Sequence, residues 1–297
     1  MELELLRIII AIVGSGIAAW YDMFNKKNIP TTFLYAFLGL SLFINLFDPT
    51  SFLAHLPTAA LIMIALYLFY RLGQLGGADV LIFASIYSAL PVISEPLIDI
   101  AKKSYEYPLE LTAFQPQVFQ LPSIIPILAI AAFLFFIGMC IKYIPFIIAK
   151  MRKRTLDIKF KNILQCIVIF AAYTFMIYTL FTSPLAPFIT LPYLLLFILM
   201  LFFICFFILF REDIINSMIV WKSSKTLEQE DVLALEQLDA AIIERYKLGR
   251  LITADQLKKM RKIRAKWPVL DLPMFVPFIF TALLIYVIFG DPILYLL

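Results

Sequence analysis

FITLPYLLLFILMLFFICFFILF, residues 188–210, is a run of twenty-three residues without a charge. A helix that crosses a bilayer needs about 20 mostly apolar residues, so this stretch alone points to lipid. It does not alternate apolar and polar residues in period two, as the strand of a membrane barrel would. Seven further apolar runs can be read outward from it, at 5–21, 31–47, 57–72, 80–94, 124–148, 163–182 and 273–289. The whole chain is 63% hydrophobic and 15% charged, against about 45–50% and about 25% in soluble domains. The expected fold class is an all-α polytopic membrane protein of about eight transmembrane helices with a small helical insert.

The insert is the one long polar stretch. Residues 1–210 are expected to form a transmembrane catalytic region, 211–268 the insert and 269–297 a final transmembrane helix. Thr226 with Gln229 and Thr253 with Gln256 have the spacing of capping boxes, in which side chain and backbone satisfy each other's orphan groups. Val232, Leu235, Leu238, Ile242 and Tyr246 read as a helical stripe that ends at Gly249, and Leu257, Met260 and Ile263 as a second one that ends at Trp267-Pro268. The second helix is basic, with Lys258, Lys259, Arg261, Lys262, Arg264 and Lys266.

Lys and Arg favour cytoplasmic loops, and this bias orients a membrane protein. With the N-terminus outside and eight spans, 22 of the 25 basic residues fall on the inner side, leaving Arg7, Lys102 and Lys103. The expected localisation is a multi-pass cell-membrane protein with both termini external and the insert cytoplasmic. Its polar contacts would then be membrane lipids, and no nucleic-acid partner is expected. The outer segment 95–121 reads as an ordered connector. Cys140, Cys166 and Cys205 all lie in apolar runs without CxxC spacing and read as buried small hydrophobes. His55 alone builds no metal site.

Two carboxylates stand apart from this pattern. Asp22 closes the first apolar run after Trp20-Tyr21, and Asp79 opens the fourth after Gly76-Gly77-Ala78. Both fall on the cytoplasmic side of a charge count made without them. A buried, unpaired carboxylate costs about 2.5–3.5 kcal/mol on insertion scales, so such residues need a reason. Paired aspartates supply one: two carboxyls sharing a proton can activate water with one and protonate a carbonyl with the other. Gly76 and Gly77 would allow unusual backbone angles or the close approach of another chain. The bland alternative is that each aspartate caps a helix end or pairs with Lys26 and Lys27.

Gly76-Gly77-Ala78-Asp79 resembles the G-x-hydrophobic-D motif of the archaeal prepilin and preflagellin peptidases, the GxGD-type membrane aspartic proteases. Trp20-Tyr21-Asp22, followed by Lys26-Lys27 and Ile29-Pro30, is similar to the segment around that family's first aspartate. The likeness covers about the first hundred residues, and the insert around 227–233 and 249–263, followed by Pro277-Phe278-Ile279-Phe280, resembles the C-terminal part of archaeal members. Phe24 and Leu81 stand where basic residues are common in the family, and eight spans exceed its usual six. The resemblance implies an aspartic endopeptidase that removes class III signal peptides from pilin-like or flagellin-like precursors. Asp22 and Asp79 would be catalytic, with Gly76, Gly77 and Ala78 against the substrate and no cofactor. The cysteine-rich segment linked to methylation in bacterial relatives is missing, so no methyltransferase activity is expected. A non-proteolytic transporter or pilus-assembly factor is the competing expectation.

Overall fold

The computed structural model describes residues 2–25, 28–72, 75–91, 97, 122–156, 158–183, 191–228, 231–246, 248–262 and 266–290. Lys26, Lys27, most of the connector 95–121, Gln229 and Ile263 lie outside the described residues. Every apolar run contains a helix. These are α1 (Glu2–Phe24), α2 (Thr31–Phe43, continued by a 3₁₀ turn at Ile44–Phe47), α3 (Pro49–Arg71), α4 (Gly77–Ala89), α5 (Ile124–Arg152), α6 (Phe160–Thr182), α7 (Leu191–Leu209) and, past the insert, α11 (Val276–Phe289).

Four of them, α1, α3, α5 and α6, are long and apolar enough to cross a membrane alone, while α7 bends by 68° into the short α8 (Arg211–Met218). Helices α2, α4 and α11 are apolar but shorter. Among the described residues the chain thus has four candidate spans, or five with the bent pair.

Between lipid-facing helices the hydrophobic effect gives no drive, so association rests on close packing and polar bonds. Both are visible. A Cβ on Gly14 would clash with the Phe37 ring, and one on Gly138 would lie 2.7 Å from the Phe278 ring. The absent side chains let α1 meet α2, and α5 meet α11. Helix α4 sits at the centre, with Ile82, Phe83, Ile86 and Ala89 fully buried against α1, α2 and α3. A second cluster joins the later half of α5 (Met139, Cys140, Tyr143, Ile147) to Phe203, Phe206 and Ile214. The most apolar stretch of α6 buries nothing, a surface suited to lipid.

Polar bonds tie the ends. Arg7 donates to Asn45 Oδ1 at 3.3 Å and pairs with Asp48 at 3.6 Å, and Asn45 donates to the Ser88 carbonyl at 2.8 Å. The start of α1 therefore meets the ends of α2 and α4, so α1 runs antiparallel to both. Arg7, one of the three basic residues that the expected orientation leaves outside, is buried beside a carboxylate. Elsewhere Lys150 pairs with Asp213 at 2.7 Å and Lys159 with Glu212 at 2.7 Å, which fixes α8 to the α5–α6 turn.

The insert corrects the all-helical expectation. It contains an antiparallel sheet of order β1-β3-β2, from β1 (Ile219–Ser223), β2 (Val232–Leu233) and β3 (Lys266–Leu270), beside two short helices, α9 (Ala240–Tyr246) and α10 (Ala254–Met260). Trp267-Pro268, read as a helix stop, lies inside the central strand. Pro268 accepts from the Ala234 N–H but has no N–H to return, and β2 ends at that point. Trp267 and Val269 alternate inward with Leu233 onto Leu257 and Met260, and Trp267 Nε1 donates to Ser224 at 3.0 Å. Val232 belongs to a strand and Leu235 to a 3₁₀ turn, so the expected stripe is helical only over its last part. The Thr253–Gln256 capping box is present, with both reciprocal bonds.

Candidate active site

Helix α1 presents one stripe to the bundle: Ile8, Ala11, Ser15, Ala18 and Asp22, spaced by three and four residues and all buried. That spacing keeps side chains on one face, and the small residues at its centre let neighbours approach. Asp22 is the last member and is only 5% exposed. Its sequence neighbours point the other way, with Trp20, Met23 and Phe24 exposed and the Trp20 and Phe24 rings 4.3 Å apart. Tyr21 packs near Phe33 at 5.9 Å. The helix then closes through Asn25, whose side chain donates to the Asn28 carbonyl at 2.7 Å, before Pro30 leads into α2.

Asp79 stands in the first turn of α4, where Gly76 is the N-cap. Asp79 Oδ2 accepts the Gly76 backbone N–H at 3.0 Å. The four N–H groups that open a helix have no partners within it, and an anion is favoured at that end. The capping role named as the bland alternative is therefore real for Asp79. It engages one oxygen of the carboxylate and fixes its orientation. Gly76 takes an extended conformation, φ −73° and ψ 149°, open to any residue, so the expected unusual backbone angle is not used there. What glycine provides is room, because a Cβ on Gly76 would meet Asp79 Oδ2 at 3.0 Å. Gly77 begins the helix and Ala78 follows, half-buried.

Helices α1 and α4 pack against each other, and Asp22 near the end of α1 and Asp79 in the first turn of α4 stand at the same end of this antiparallel pair. Since α1 and α4 are antiparallel, this end is the one opposite to the Arg7–Asn45–Ser88 link. Partly buried Leu75, Ala78, Val80 and Leu81 surround it. The arrangement sets two acids at one end of a packed helix pair with little water around Asp22, which suits general acid–base work on a water or a carbonyl. Among the described residues no group of three or more His, Cys, Asp or Glu side chains is placed to hold a metal.

The sequence reading missed the cluster of Arg7, Asn45 and Asp48. An arginine in an otherwise acidic N-terminal turn and a lone Asn-Leu-Phe-Asp at the end of a span were the only signals. In comparisons with known proteins, no protein-family model, curated protein or solved structure matches the chain.

Proposed function

We propose that the chain is a membrane-embedded aspartic endopeptidase that uses Asp22 and Asp79 as its catalytic pair. The observation that carries the reading is the placement of two acids, 57 positions apart in the sequence, at one end of the packed antiparallel pair α1 and α4, with Asp22 buried. In the full reading the apolar helices make eight spans, α2, α4 and α11 crossing with the help of their flanks. The Asp22–Asp79 end and the insert face the cytoplasm, with both termini outside.

The chemistry follows from a shared proton. Two carboxyls near each other cannot both ionise, so the pair holds one proton between them. The ionised member takes a proton from water as its oxygen attacks the scissile carbonyl carbon. The protonated member gives its proton to the carbonyl oxygen, forming a neutral gem-diol. When this collapses, the C–N bond breaks, the nitrogen takes up a proton and the carboxyl pair returns to its starting state.

The substrate class rests on the likeness to prepilin and preflagellin peptidases. Their precursors place a short basic segment in the cytoplasm before a hydrophobic helix, and that junction lies at the depth proposed for Asp22 and Asp79. The Gly76–Ala78 segment, short of side chains, would let the extended junction approach Asp79. A transporter reading draws support from the polar cluster at the opposite end. Between the two ends, however, the buried stripe of α1 offers only Ser15 and the buried face of α4 offers Ser85, and their hydroxyls are bonded within their own helices to the Ala11 and Leu81 carbonyls.

The test is cleavage of a pilin-like precursor by the purified protein in lipid, with wild type beside Asp22→Asn. Cleavage at the basic–apolar junction by wild type alone supports the reading. An intact precursor with a folded wild type refutes it.

A further inference from the structure

The Arg7–Asn45–Ser88 cluster lies at the end of α1 and α4 opposite to the two aspartates. We propose that Asn45 is a positioning residue for the Asp22–Asp79 pair, a clamp that sets the relative placement of α1 and α4 from their other end. The proposal rests on reading those aspartates as a working pair.

Asn45 is buried, at 3% exposure, in the 3₁₀ turn that ends α2. Its Oδ1 accepts from Arg7 Nη2 of α1 at 3.3 Å. Its Nδ2 donates to the Ser41 carbonyl of its own helix at 3.0 Å and to the Ser88 carbonyl of α4 at 2.8 Å. Ser88 stands in the last turn of α4, where carbonyls lack partners within the helix. One amide thus answers an orphan acceptor of α4 and a buried guanidinium of α1 together. An amide left unbonded in an apolar site would be unfavourable, so the side chain is held in this orientation by three bonds at once.

The lever is long. Arg7 stands fifteen residues before Asp22 in one continuous helix, about 22 Å at 1.5 Å per residue. Ser88 stands nine residues after Asp79, about 14 Å. A tilt of about 5° at the clamp displaces the far end of α1 by about 2 Å over that length. A misplacement of about 1 Å at a reacting group can cost about a hundredfold in rate.

The two arms of the clamp can be cut separately. Asn45→Asp keeps an acceptor for Arg7 but has no N–H for Ser88, and Arg7 retains Asp48. Asn45→Leu cuts both. The separation of the pair is read without proteolysis by placing Cys at positions 22 and 79 in a chain whose three native cysteines are replaced by Ala, then treating it with bis-maleimides of graded length. The expected result is at least a fivefold fall in short-linker yield for both Asn45 variants, with the Asn45→Asp chain folded by thermal melting. In the chain with native aspartates, kcat for precursor cleavage falls at least tenfold with KM within twofold. Ser41→Ala, which leaves the Ser41 carbonyl in place, keeps the wild-type linker yield.

Linker yield unchanged in a folded Asn45→Asp chain overturns the proposal, whether or not cleavage falls. Altered linker yield in a protein whose wild type cleaves no precursor keeps the clamp and removes the peptidase reading instead.

Discussion

The backbone N–H of Gly76 donates to Asp79 Oδ2 at 3.0 Å, and a Cβ added to Gly76 would press on that same oxygen at 3.0 Å. One residue therefore orients a carboxylate through its backbone and makes room for it by lacking a side chain. A carboxylate so held caps α4, and a cap is no argument against a catalytic role.

Gly76→Ala should keep the hydrogen bond and crowd the oxygen, which must yield by a few tenths of an ångström. Cleavage should fall about tenfold, since rate is steep in the position of a reacting group, while the melting temperature moves by no more than a few degrees. Parallel cleavage and melting measurements on one preparation check this. A large loss of stability with cleavage per folded molecule unchanged would make Gly76 a packing residue only.

Gly14→Leu should drive the Phe37 ring out of its place between α1 and α2. Overpacking of this kind costs about 1–3 kcal/mol. Lower thermal stability with the helix content of the folded state retained is the expected outcome, read by circular dichroism. A variant as stable as wild type would show that the α1–α2 contact can shift freely.

Asp213→Asn should loosen the joint between the helices and the insert, because Lys150 would lose a partner 2.7 Å away. A buried or half-buried charge that loses its partner costs about 1–3 kcal/mol. Hydrogen exchange should quicken in Arg211–Met218 and leave Gly77–Ala89 unchanged. Equal quickening in both helices would contradict the local role.

Orientation is open to chemical labelling. Exposed Lys258 of α10 and exposed Leu46 near the Arg7 cluster belong to opposite sides in the proposed topology. With the native cysteines removed, Lys258→Cys should react with an impermeant maleimide only from the cytoplasmic face, and Leu46→Cys only from outside. The reverse pattern would place the Asp22–Asp79 end outside the cell.

Much of the helical architecture was legible because charge-free runs such as 188–210 have no competing solution in lipid. The bend after Leu209 was not, since it turns on ion pairs between Lys150 and Asp213 and between Lys159 and Glu212 that are distant in sequence. The sheet escaped for a related reason. Two-residue β2 is too short to show a period, and Pro268 looks like a terminator until its missing N–H is placed beyond the end of β2. At the candidate site, the buried stripe from Ile8 to Asp22 was present in the spacing alone. The clamp of Arg7, Asn45 and Ser88 was not, because a carbonyl acceptor at a helix end carries no mark in its side chain.

The central claim is that Asp22 and Asp79 act as one unit, and turnover of a pilin-like precursor by wild type, Asp22→Asn, Asp79→Asn and the double variant tests it most directly. Residues that act as a unit are strongly non-additive. The account predicts that each single variant loses at least a thousandfold and that the double variant is no worse than either. Substantial turnover in a single variant, or losses that multiply in the double, would contradict it.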